Sequence, residues 1–144
     1  MNIIQQYART LYGIEARIDG DPVRQIGAVW DRFLTENLAE DCPSRLDDNL
    51  VALYCDYEGD HTQPYTFFLG CEVLDVCSAE DGFAIRYTPV GNYAEFSAFG
   101  AMPDAVIDKW REIWEMELYR NYIADYEIHD PKSPNEVSVY VGVM

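Results

Sequence analysis

Residues Met102–Asp130 read MPDAVIDKWREIWEMELYRNYIADYEIHD. The hydrophobic period changes within this stretch, and that change decides the fold. Pro103 is suited to open a helix, and Asp104 to sit near its N-terminus, where backbone N–H groups are unpaired. Val106, Ile107, Trp110, Ile113, Trp114 and Leu118 recur at helical spacing and make one apolar stripe. From Ala124 the period drops to two. Tyr126 and Ile128 point one way along an extended chain, and Asp125, Glu127 and His129 the other. A helix running into an alternating strand is the middle of an α+β unit.

The same order holds further out. Upstream, FAIRYTPVG extends toward a bend and GNYAEFSAFG, residues 91–100, reads as a strand; downstream, a Pro-containing loop leads to EVSVYVGV at 136–143. The first half repeats the pattern: YARTLYGIEARI at 7–18, GAVWDRF at 27–33, LVALYCDY at 50–57 and YTFFLGCEV at 65–73. Ile4–Ile18 alternate loosely and read as one strand, and DGDP at 19–22 is a turn before a helix over about 23–38. Trp30-Asp31-Arg32-Phe33 echoes Trp110-Arg111-Glu112-Ile113 in the two helices. The expectation is a single domain over 1–144 of α+β class. It consists of two pseudo-repeated strand–helix–strand–strand units, about 1–78 and 82–144, with antiparallel sheets and a ligand cleft between the halves.

Composition narrows the function. The chain has 144 residues and a net charge of −16, from 26 acidic and 10 basic side chains. That field repels a phosphate backbone, and no basic stripe offsets it, so no direct nucleic-acid partner is expected. No apolar run approaches the ~20 residues of a membrane helix. The first residues lack a basic region followed by an apolar stretch, so no leader and a cytoplasmic location are expected. Cys42, Cys55, Cys71 and Cys77 have no spacing suited to zinc, and His61 and His129 lack a spaced partner set, so neither metal nor cofactor is expected. There is no phosphate-cradling glycine loop and no nucleophile elbow. His61 reads as a solvated loop residue, while His129 shares a strand face with Glu127.

The aromatic residues are in excess: eleven tyrosines, six phenylalanines and three tryptophans. Trp30, Phe33 and Trp114 are assigned to the core. Tyrosine is harder to place there, because a buried hydroxyl needs a partner. Tyr54, Tyr65, Tyr93, Tyr126 and Tyr140 all fall on expected strands. A pocket walled by such rings, with a carboxylate at its base, suits a delocalised cation: each ring face contributes roughly 0.5–2 kcal/mol and the carboxylate neutralises the charge. Glu127 is the candidate carboxylate. A buried charge requires hydrogen-bonding partners in the free protein, and tyrosine hydroxyls or His129 are the candidates for that role.

The segments GAVWDRF, ALYCDYEGDHTQPYTFFLGCEV, PVGNYAEFSAFGAMPDAVIDKWREIW, RNYIADYEIHD and EVSVYVGV, taken in order, cover nearly the whole chain. The set resembles the GyrI-like, or AraC-type effector-binding, domain family, and within it the free-standing members, including integron cassette effector-binding proteins. The resemblance implies a module for lipophilic, often cationic, small molecules, linked to transcription regulation. It maps the binding glutamate onto Glu127, an aromatic wall onto Tyr93 and the tryptophan of the second helix onto Trp110; Tyr54, Tyr65 and Tyr140 complete the expected ligand-binding set. His129 stands where many members have tyrosine. Two other functions are implied within the family: a hydrolase of strained-ring cytotoxic compounds, with Glu127 as general base and Tyr93 as donor, and inhibition of DNA gyrase through an acidic surface. The expected protein partner is accordingly a regulator protein or DNA gyrase, and the expected state a monomer or weak homodimer.

Overall fold

Asp21 caps the first helix by accepting from the Arg24 backbone N–H, and Pro22 takes the first helical position, so the DGDP turn leads directly into helix α1, Pro22–Thr35. The computed structural model describes residues 2–144. A second helix, α2, spans Asp104–Trp114. The strands are β1 Asn2–Gln6, β2 Arg9–Ile18, β3 Leu50–Cys55, β4 Tyr65–Glu72, β5 Ala84–Thr88, β6 Gly91–Phe99, β7 Arg120–His129 and β8 Glu136–Val143. They form one eight-stranded sheet in the order β1-β6-β8-β7-β3-β4-β2-β5. Every pairing is antiparallel.

That order is a palindrome of the two units. The first supplies β3-β4-β2 and the second β6-β8-β7, and they join where Ala52 of β3 faces Glu127 of β7. The flanking strands are exchanged. β1 precedes the first unit but pairs with β6 of the second, and β5 precedes the second unit but pairs with β2 of the first. The expected strand Ile4–Ile18 is therefore broken at Tyr7–Ala8, where the chain leaves the β1 edge of the sheet for β2, the strand next to the opposite edge.

Both faces of the sheet are buried. On one, Tyr12, Ile14, Phe67 and Leu69 pack under Val29 and Phe33 of α1, and Ala94, Val139 and Val141 pack under Trp110 and Ile113 of α2. On the other, Leu11, Leu53, Phe68, Tyr93 and Tyr126 share a second core. The sheet curls around this second core. Arg9 on β2 reaches Tyr126 on β7, which is not its neighbour in the sheet, with Nε donating to the hydroxyl at 3.4 Å, and it pairs with Glu72 at 2.5 Å. Burial of this ion pair is compensated by Gln6 and Tyr7, whose oxygens accept from the same guanidinium.

Gly13 and Gly70 face each other across β2 and β4, where the two backbones leave no room for a Cβ. A Cβ on Gly70 would stand 2.2 Å from the Tyr12 carbonyl oxygen and 2.8 Å from the Gly13 Cα. Both obstacles are backbone, so the strands must part. Gly70→Ala is expected to cost about 1–3 kcal/mol, read as a lowered urea midpoint. A midpoint equal to wild type would mean that the two strands separate without penalty.

Candidate functional site

α1 and α2 lie side by side on one sheet face, and the gap between them, over the β3–β7 junction, is a cavity of about 530 Å³. That volume suits a small organic ligand. Its walls are aromatic: Trp30 from α1, Trp110 and Trp114 from α2, and Tyr54, Tyr57 and Tyr65 from β3, the segment after it and β4. Aliphatic side chains of Val23, Ile26, Val106 and Ile107 fill the spaces between them.

Glu127 is the buried carboxylate among these residues. It is 2% exposed and lines the cavity. Strand alternation puts it there: Ala52 is its partner across β3 and Val139 across β8, and both belong to the helix-covered face. Three groups hold it. The Tyr54 hydroxyl donates to Oε2 at 2.6 Å, the Trp110 indole N–H donates to the same oxygen at 2.7 Å, and His129 Nε2 lies 2.7 Å from Oε1. A carboxylate has about four acceptor sites, so one remains. Among the described residues, no lysine or arginine forms a salt bridge with it. Burial, and then the Glu127 charge, push the Tyr54 hydroxyl well above its ordinary pKa, so it stays a donor. The same two causes push Tyr65 up to about 12. His129 is itself fixed, its ring meeting Trp30 edge-on with centroids 4.7 Å apart.

A second polar group lies two residues back on β7. Asp125 is fully buried and accepts from the Tyr57 hydroxyl at 2.5 Å, from Arg120 at 2.7 Å and from the Gly142 backbone N–H at 2.8 Å. Although burial opposes its charge, the Asp125 carboxylate raises the Arg120 pKa above its ordinary value.

Of the six expected binding residues, the fold brings four together: Glu127, Trp110, Tyr54 and Tyr65. Tyr93 and Tyr140 lie elsewhere. Tyr140 faces Tyr126 across β7–β8, and Tyr93 stacks edge-on against Tyr126 with centroids 5.3 Å apart, so both belong to the second core on the opposite sheet face. The Tyr93 hydroxyl donates to the Pro89 carbonyl. The pairing of Glu127 with Tyr93 expected of a hydrolase is therefore not formed.

Three residues take a place in the cavity beyond the one expected of them, Trp30 while also packing against the helix-covered core. Trp30 and Trp114, assigned to the core, line the cavity, and Trp114 is 43% exposed. His61, read as a solvated loop residue, lines it too and stacks flat on Trp114 with centroids 4.5 Å apart. The available signal lay in the helices. Val23 and Leu34 make α1 apolar beyond the stripe that Val29 and Phe33 need, and they stay 61% and 60% exposed.

Comparison with known proteins agrees with this architecture. A family model described as integron-associated effector binding protein matches residues 2–143. YobU of Bacillus subtilis (strain 168), a protein named for transcriptional regulation, is 28% identical over 130 residues, covering 83% of this chain and 80% of its own. The integron cassette protein VCH_CASS2, from the mobile metagenome of Vibrio cholerae, superposes with a TM-score of 0.80 at 28% identity, covering 99% of this chain and 95% of that one. SAV2435, solved bound to tetraphenylphosphonium, shares the fold with a TM-score of 0.79 at 16% identity, covering 99% and 93%.

Proposed function

The chain belongs to the family of integron-associated effector binding proteins, and from that premise we propose that it binds lipophilic cations in the cavity between α1 and α2, with Glu127 as counter-charge. One observation carries this reading: a buried carboxylate among aromatic rings accepts three hydrogen bonds yet has no lysine or arginine partner among the described residues. Leaving a charge in that position is costly unless something neutralises it. The ring faces favour a cation and disfavour an anion of the same shape. The three donors fix the carboxylate in place before the ligand arrives, which lowers the cost of ordering on binding. Asp31 at the cavity wall adds a second negative charge. Small-molecule binding by the family and the bound tetraphenylphosphonium of SAV2435 both support this assignment. In this proposal the protein senses or sequesters such compounds in a setting linked to transcription regulation, a link that the name of the B. subtilis relative supports.

A pair of ions with one shape tests it. Tetraphenylphosphonium at ~100 times its dissociation constant should add about 2.7 kcal/mol of stability, seen as a rise of several degrees in melting temperature. Tetraphenylborate, the anionic counterpart, should give none. All three tryptophans of the chain line the cavity, so the cation should also quench most of the intrinsic emission. Equal shifts with the two ions would mean that the cavity selects shape alone.

A further inference from the structure

Two buried nitrogen atoms in the residues that line the cavity lack any hydrogen-bond partner: Arg120 Nε and His61 Nδ1. Buried polar atoms are rarely left so. Arg120 is 8% exposed, and its head is fixed on two sides, by the 2.7 Å contact to Asp125 and by the Tyr122 ring 4.3 Å below the guanidinium. Nε–H is a donor only. The His61 ring is fixed by its stack on Trp114. Burial lowers its pKa, with the Asp60 charge opposing the shift and the Arg120 charge adding to it, which favours the neutral ring, whose Nδ1 can accept or donate with the tautomer.

The two groups lie toward the same end of the cavity. Trp114, under His61, follows Trp110 by one helical turn. Asp125, which holds Arg120, precedes Glu127 by two residues on β7. A short connection joins the end of α2 at Trp114 to the start of β7 at Arg120, so both displacements run in the same direction from Glu127.

We propose that the cavity has a second polar subsite, formed by Arg120 Nε–H and His61 Nδ1, which takes an oxygen atom of the ligand. The preferred ligand is then a lipophilic cation that also carries a carbonyl or hydroxyl oxygen displaced from its charge toward the Trp114 end of the cavity, a narrowing of class that rests on the cation reading of Glu127. A carbonyl accepts from Nε–H and from Nδ1–H in the tautomer that carries its proton there, and a hydroxyl accepts from Nε–H while donating to Nδ1 in the other tautomer. A carboxylate is disfavoured, because the Arg120 charge is already balanced by Asp125 and a further negative charge would face Asp125 and Glu127.

Two phosphonium ions that differ in one atom test this: (4-acetylbenzyl)triphenylphosphonium and its 4-isopropenyl isostere, titrated calorimetrically into the wild-type protein. A hydrogen bond from a charged donor should make the acetyl compound bind about tenfold tighter. Arg120→Lys keeps a cation for Asp125 but loses the Nε donor, and should bring that ratio close to one. His61→Phe keeps the stack on Trp114, leaves the buried ion pair alone and should reduce the ratio in part, so the subsite is tested even where the Arg120 variant folds poorly. Equal affinities in wild type overturn the second subsite and leave the cation reading standing. A tenfold ratio that survives both substitutions also overturns it. Failure of both compounds to bind overturns the two readings together.

Discussion

Glu127→Gln is expected to weaken tetraphenylphosphonium binding by at least about tenfold, since removing one partner of a desolvated charge pair typically costs 2–5 kcal/mol and each 1.4 kcal/mol is a factor of ten. The substitution preserves shape. The amide oxygen can still accept from Tyr54 and Trp110, and the amide N–H group can donate to His129 in its other tautomer. What disappears is the charge. The variant should therefore fold at least as stably as wild type, because a desolvated carboxylate no longer has to be held in place. Tetraphenylborate should bind the variant better than it binds wild type. A solvent-facing glutamate predicts a different result: a loss below about 1 kcal/mol, most of it erased by salt. Isothermal titration at low and high ionic strength separates the two. Equal cation affinity for wild type and variant in both buffers would remove Glu127 from the binding role.

The facing of Glu127 is legible in the sequence for a reason that does not extend to Tyr93. Within ADYEIHD the alternation fixes relative facing on one strand: Glu127 and His129 together, Tyr126 opposite. The sheet keeps that relation. Whether Tyr93 on β6 shares the Glu127 face depends instead on register across β6, β8 and β7, and a one-residue step reverses every side chain. A sheet with one wet face would announce the register through its polar positions. Here both faces are buried, and Tyr93 and Ala94 are equally inaccessible on opposite sides, so the pattern is silent. The exchange of the edge strands is absent from the sequence pattern for a related reason. Ile4–Ile18 carries a strand pattern throughout, and only tertiary pairing breaks it at Tyr7–Ala8. Trp30 and Trp114 look like packing residues by spacing, but a helix needs one apolar stripe to dock. Val23 and Leu34 on α1 extend beyond it, and an apolar surface beyond the docking stripe is what walls the cavity. His61 had no sequence signal: its position depends on the loop between β3 and β4 folding back to stack on Trp114.

Asp125→Ala is expected to be the most destabilising single change at the site, at about 3–5 kcal/mol, the usual cost of leaving one member of a buried ion pair without its partner. The structure gives this carboxylate more to hold than a charge. Pairing between β7 and β8 is irregular from Arg120 to Asp125, and Tyr122 in that interval has a φ of 53°, a conformation that side-chain-bearing residues rarely adopt. Asp125 secures the far end of the irregularity. One of its oxygens accepts the Gly142 N–H, while the other takes Arg120 and the Tyr57 hydroxyl. Removing the carboxylate strands three donors and one buried positive charge. Arg120→Met leaves a different deficit, because Asp125 keeps two of its three donors and can take up a proton, so it should cost less. The double variant Asp125→Ala with Arg120→Met then has neither charge, and its loss should fall short of the sum of the two single losses by more than the ~0.5 kcal/mol within which independent sites add. Urea titration measures all three, with slopes equal to wild type showing that the unfolding reaction is unchanged. Simple additivity would mean that Arg120 and Asp125 stabilise the bulge separately, and a cost below about 1 kcal/mol for Asp125→Ala would place the anchor of the irregular β7 segment in the backbone rather than in this ion pair.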